Sequence, residues 1–132
     1  MRVMILLAIG ALLSGCGPDR SLDRGVALFA QNCAVCHGAD ARGGGGANVP
    51  GLSKTPSDLT VLAAENNGFF PTRKTLAVMQ GYADGSHAGR RMTPFVDLTS
   101  DKRRRIKTSA GTVRAQQPQA DLLSYLVSVQ RP

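Results

Sequence analysis

Tryptophan is absent from the 132 residues, and aromatic side chains of all kinds make up only 5% of them, two Tyr and four Phe. Set against 15 glycines, so few large rings give a thin core for the one compact domain that a chain of this length can build. Something large and apolar is missing from the side chains themselves. Acidic residues are scarce as well: nine Asp and Glu against 16 Lys and Arg leave a net charge of +7 and a pI near 10.0. Such a balance points to nucleic acid, anionic lipid or an acidic protein as partner. No aromatic residues interleave with the basic ones, and the densest run, Arg103-Arg104-Arg105 with Lys107, has the make-up of an exposed edge and not of a nucleic-acid groove. Nucleic acid is therefore not an expected partner.

No apolar run reaches the ~20 residues that cross a bilayer comfortably. The longest, residues 3–13, follows Arg2 and ends in Ser14 and Gly15, so residues 1–15 read as an export signal with a minimal positive start and a small-residue cleavage site. The junction Leu13-Ser14-Gly15-Cys16 resembles the lipobox of bacterial lipoproteins, in which a small residue precedes the cut and the cysteine after it accepts the lipid. That resemblance implies a lipidated Cys16, with residues 16–20 as a short polar tether and residues 21–132 as the domain. Acyl chains bring ~0.8 kcal/mol per buried methylene, so a multiply acylated residue holds a protein stably at a membrane. Ordinary secretion with Cys16 as a stray thiol is the alternative. Loss of Arg2 with the signal leaves +6.

Only three cysteines are present, an odd number that leaves one over from any disulfide. The other two stand in Cys33-Ala34-Val35-Cys36-His37, the attachment sequence of a c-type haem. The two-residue spacer sets both thiols to meet the two vinyl groups on one edge of the porphyrin, and His37 follows at once to place an imidazole under the iron. One lipid and two thioethers then account for every cysteine. The haem is also the missing apolar object, since a buried macrocycle lets a loop-rich chain pack around it. A thioredoxin-like site would need a βαβ context, a zinc site four ligands where only His87 remains as a second imidazole, and a structural disulfide would leave His37 idle.

The flanks carry a family resemblance. Gly25-Val26-Ala27-Leu28-Phe29 ahead of Cys33 is similar to the first helix of class I cytochromes c, where a Gly and an aromatic residue a turn later pack across the C-terminal helix. In this chain the partner is residues 118–130, with Leu122, Leu123, Tyr125, Leu126 and Val129 at helical spacing. The order of landmarks over residues 56–95 also resembles a bacterial subgroup of that family. Asp58-Leu59-Thr60 opens a segment spaced as a helix that stops at Asn67-Gly68, a second helix runs from Pro71 to about Tyr82, and a Met loop follows.

The resemblance implies a mainly α, class I cytochrome c fold, with helices wrapped around one covalent haem c. It implies His37 as the proximal iron ligand and a Met beside a Pro as the distal one. Met92-Thr93-Pro94-Phe95 is similar to that Met loop with one residue inserted, and the backbone before Pro94 is biased to be extended. Met79, within the second helix, and His87, in the loop of residues 81–89, are the competing ligands. The family also implies a Pro carbonyl on the proximal imidazole, for which Pro50 is the candidate after the glycine-rich residues 43–46. Between residues 103 and 117, alternating character about Ser109-Ala110-Gly111 reads as a small β-hairpin or a basic loop before the last helix.

The expected function is single-electron transfer between redox partners in the periplasm or cell envelope, with no catalytic residue, and with an acidic docking face on the partner. The alternatives are an enzyme or gas sensor with an open iron site, and a haem subunit of a larger oxidoreductase complex. The oligomeric state is not legible in the sequence.

Overall fold

The computed structural model describes residues 20–45, 54–85, 92 and 95–132. The chain runs α1 (Arg20–Asn32), α2 (Ala34–His37), a 3-10 turn (Ala64–Asn66), α3 (Thr72–Ala83), β1 (Arg103–Thr108), β2 (Gly111–Gln116) and α4 (Gln117–Ser128). This is a mainly helical architecture with one small antiparallel sheet, as expected for a cytochrome c fold. Among the described residues, no helix is long and apolar enough to cross a membrane.

Helix α1 buries Ser21, Gly25 and Phe29, positions four apart that form one stripe. That stripe crosses α4, which starts with Pro118 in its first turn, where a missing N–H costs nothing. The crossing point is Gly25: a Cβ there would run into the Asp121 carbonyl of α4 and lie 2.9 Å from Tyr125 Cβ. One turn on, the rings of Phe29 and Tyr125 sit 4.8 Å apart at 47°, a tilted pair that adds ~0.5–1.5 kcal/mol beyond its buried area. Leu76 and Met79 from α3, with Leu122, Leu123 and Leu126 from α4, complete the core.

The same crossing carries a buried carboxylate. Asp121 is 1% exposed and takes Arg24 Nε at 2.6 Å from α1 and Arg104 Nη1 at 2.7 Å from β1. Both guanidiniums are nearly half exposed, so the arrangement supplies registry between α1, α4 and the sheet more than net stability.

The hairpin is formed as one of its two sequence readings had it. Its register runs from Arg103 opposite Gln116 to Thr108 opposite Gly111, closed through Ser109-Ala110, with Gly111 at φ 102°. Thr108 Oγ1 donates to the Gly111 carbonyl at 2.6 Å and accepts from Ala110 N–H at 3.2 Å. Ile106, Val113 and Ala115 face the core.

One expected helix is not there. Residues 59–67 form turns around the single 3-10 segment Ala64–Asn66, although the stop is where the sequence puts it, with Asn67 at φ 54° and Gly68 at φ 82°. The helix fails because its backbone groups are committed elsewhere. Asp58 Oδ1 takes both the N–H and the hydroxyl of Thr60 at 2.8 and 2.6 Å, a local bond that competes with a helical ladder. The carbonyls of Leu59 and Thr60 accept instead from Gln130 Nε2 at 2.8 Å and Arg131 N–H at 2.7 Å.

Candidate haem-binding site

Helix α1 ends at Asn32, and Cys33, at φ −124°, breaks its direction. Cys33 N–H still bonds the Phe29 carbonyl at 2.8 Å, while the Cys33 carbonyl accepts from His37 N–H at 2.8 Å. The motif is thus one tight helical turn, which puts Cys33 and Cys36, three apart, on the same side. The chain leaves it at Gly38, φ 77°. Both cysteines are half-buried free thiols. Burial, with the charge of Cys36 beside it, pushes the Cys33 thiol up to about 12. Among the described residues no group of three or more His, Cys, Asp or Glu is gathered to hold a metal ion.

The imidazole is fixed from behind. His37 Nδ1 lies 2.8 Å from the Ser57 carbonyl oxygen, and a carbonyl only accepts, so Nδ1 carries a proton and Nε2 is the ring nitrogen left to hold the lone pair of a neutral imidazole. That is the tautomer of a metal-ligating histidine with its partner behind it. Thiols that remain unpaired on one turn, next to an imidazole in this tautomer, fit a covalently held haem.

Ser57 is itself positioned by three strands of chain. Gly43 N–H bonds the His37 carbonyl at 2.7 Å and Leu59 N–H bonds that of Ala41 at 2.8 Å. Gly43, at φ 80°, lies where any Cβ would strike the Pro56 carbonyl. From the far end of the chain, Arg131 Nη2 holds Asp58 Oδ2 at 2.8 Å, Arg131 Nε bonds Thr60 Oγ1 at 2.7 Å, and Gln130 Oε1 accepts from Ala63 N–H at 2.8 Å. Hydrogen bonds from Thr60, and then Arg131, hold the Asp58 carboxyl below its ordinary value.

Met92 is half-buried. Its N–H donates to Tyr82 Oη at 3.3 Å, and Phe95 on the far side of the loop returns to the same residue, N–H to the Tyr82 carbonyl at 3.4 Å and ring centroids 5.4 Å apart. The exit of the loop is strapped to the attachment turn: Asn32, the residue before Cys33, accepts from Val96 N–H at 2.8 Å, and Gln31 bonds Asp97 at 3.1 Å. Met79 lies in the core at 4% exposure. The Cys16, Pro50 and His87 readings fall outside the described residues. Ser57, Asn32, Tyr82 and the Gln130-Arg131 pair are contributors that reading the sequence missed. Each acts through a contact distant in the chain, and none carries a local motif.

No curated protein and no solved structure matches the chain. A family model described as Cytochrome c matches residues 22–130, a span that opens in α1 and closes just beyond α4, around the Cys33-to-His37 turn. The chain belongs to the cytochrome c family, whose members bind haem c covalently.

Proposed function

We infer that this protein carries single electrons between redox partners outside the cytoplasm, with His37 and Met92 as the residues that would ligate a haem iron and Cys16 as a lipid anchor. The observation that carries the reading is the proton-bearing Nδ1 of His37 on the Ser57 carbonyl, which makes Nε2 the ring nitrogen that would bind iron. The haem supplies an iron that takes up and gives back one electron. Cys33 and Cys36 would hold it through thioethers, Ser57 would keep the imidazole in one tautomer and raise its donor strength, and Met92 would supply a weak sulfur donor that favours the reduced state. Tyr82, bonded to the Met92 N–H, and Asn32, bonded to that of Val96, would limit the movement of Met92 as an electron arrives or leaves. Val35, 60% exposed within the attachment turn, offers an apolar spot for a partner beside the cofactor.

The test is spectroscopic. Holoprotein made with a haem-attachment system should show a c-type α-band and, when oxidised, the long-wavelength sulfur-to-iron band. Met92→Ala should lose that band and its potential should fall by on the order of a few hundred millivolts, within the ~0.8 V that axial ligands span. Met79→Leu should keep both. An unchanged Met92→Ala spectrum would place the ligand elsewhere and reopen the enzyme reading.

The positive charge predicts steering of an acidic partner. Transfer to it should slow as ionic strength rises through the range where the Debye length drops from ~30 to ~8 Å. Stopped-flow rates indifferent to salt would discard the steering.

A further inference from the structure

Among the described residues, the outward side of the hairpin holds cations that no carboxylate pairs. In the β1–β2 register Arg103 stands opposite Gln116, Arg105 opposite Arg114 and Lys107 opposite Thr112. These pairs alternate with Arg104/Ala115 and Ile106/Val113, which face the core, so Arg103, Arg105, Lys107 and Arg114 share one face. All four are exposed. Among the described residues none of them enters an ion pair, whereas Arg104, on the other face, shares Asp121 with Arg24. Arg105 and Arg114 face each other directly, a like-charge pair that weakens a two-stranded ribbon. Such a face makes physical sense when an anionic surface covers it.

We propose that this face binds the anionic phospholipid headgroups of the membrane that carries the protein, and thereby sets the orientation of the domain on the bilayer; the proposal rests on the anchoring assigned to Cys16. Two placements favour lipid over an acidic protein. First, Arg24 and Arg104 grip the same carboxylate, so the root of the hairpin meets α4 at the turn that crosses the front half of α1 at Gly25. Cys16 precedes the first residue of α1 by four positions, a reach of at most ~14 Å. Second, Arg24 is nine residues from Cys33, ~13 Å along the helix axis. The root of the hairpin is therefore nearer the start of α1, the anchored end, than the haem-attachment turn, where a redox partner has to dock. A lipid chain together with a basic patch is the two-signal arrangement that makes membrane attachment stable.

The experiment uses full-length holoprotein carrying Ser109→Cys at the exposed hairpin turn. With Cys33 and Cys36 in thioethers and Cys16 acylated, this is the one free thiol, and it takes a nitroxide. The protein is reconstituted into vesicles of phosphatidylcholine alone or with one part in three phosphatidylglycerol. Flotation reads the anchor, and collision of the nitroxide with a water-soluble nickel complex reads the hairpin. On phosphatidylglycerol vesicles accessibility should fall at least threefold relative to phosphatidylcholine, recover in 0.5 M salt, and stay high when Arg105 and Arg114 are both changed to Gln. Flotation without a lipid-dependent change at the nitroxide overturns the proposal and leaves the anchor standing; loss of flotation overturns the anchor. Shielding by polyglutamate where phosphatidylglycerol gives none assigns the face to an acidic protein instead, and overturns the lipid proposal.

Discussion

Gly25→Val is expected to leave little folded, haem-loaded protein. At this position α1 and α4 touch backbone to backbone: an added Cβ meets the carbonyl oxygen of Asp121, with its carbon 2.9 Å away and Tyr125 Cβ equally near. Neither neighbour is a flexible tip that can swing aside, so the helices must separate. Separation also parts the Phe29–Tyr125 rings and pulls Arg24 from the buried Asp121. Overpacking of a core costs ~1–3 kcal/mol where side chains can yield. Here roughly 3 kcal/mol is expected for Gly25→Ala, and more than about 5 kcal/mol for the larger β-branched residue, against a total stability of ~5–15 kcal/mol. Haem-staining yield and thermal melts check this. A Gly25→Val holoprotein that melts within about 5 °C of wild type would mean that the two helices do not pack this closely.

Removing the side chains of Gln130 and Arg131 should both destabilise the protein and change its iron. These two residues at the end of the chain hold Leu59, Thr60, Ala63 and Asp58, and this segment begins next to the Ser57 carbonyl that takes the His37 proton. At a net ~0.5–1.5 kcal/mol for each hydrogen bond, discounted for the exposed Arg131–Asp58 pair, the double change to Ala should cost roughly 2–4 kcal/mol. That corresponds to a fall in Tm of roughly 10–20 °C for a domain of this size. A merely structural clamp would stop there. If it also positions Ser57, the imidazole loses donor strength and the reduction potential should rise, with Arg131→Lys intermediate. A lowered Tm with an unmoved potential would separate the clamp from the iron.

Asp58 adds a pH signature to the same clamp. Its carboxyl is held below the ordinary 3.8, first by the hydroxyl and N–H of Thr60 and then by Arg131. A depressed folded value means that the ionised form stabilises the fold above the unfolded value, and that this contribution disappears as pH falls through the folded one. Wild type should therefore melt above Asp58→Asn at neutral pH, and the two should converge in acid below 3.8. Parallel curves across that range would remove Asp58 from the clamp.

How far these residues could be read from the chain depends on how far apart their partners lie. The attachment turn was legible because its chemistry is local: two thiols and an imidazole within five residues have one main use, and the turn that presents them needs no help from the rest of the fold. The Gly25 and Phe29 stripe and the apolar face of α4 were legible for a related reason, since helical periodicity states which side is buried even when the opposing surface is unknown. The start of α3 and the turn of the hairpin followed from Pro71, Ser109 and Gly111, residues whose backbone preferences act within a few positions. The segment after Asp58 carries helical spacing yet forms turns, because Gln130 and Arg131 take the carbonyls that a helix would have used. A partner some seventy residues away leaves no trace in a local window. The same holds for Ser57 behind the imidazole, for Asn32 on Val96, and for Tyr82 beneath Met92. The sequence by itself determined the covalent chemistry and the two helices that cross, because those rest on spacing within a few turns. Tertiary structure alone decided which carbonyl holds His37, which groups bond Met92 and Val96, and which hairpin cations stand outside the ion pairs among the described residues, because each depends on chain segments that meet only once the core has formed.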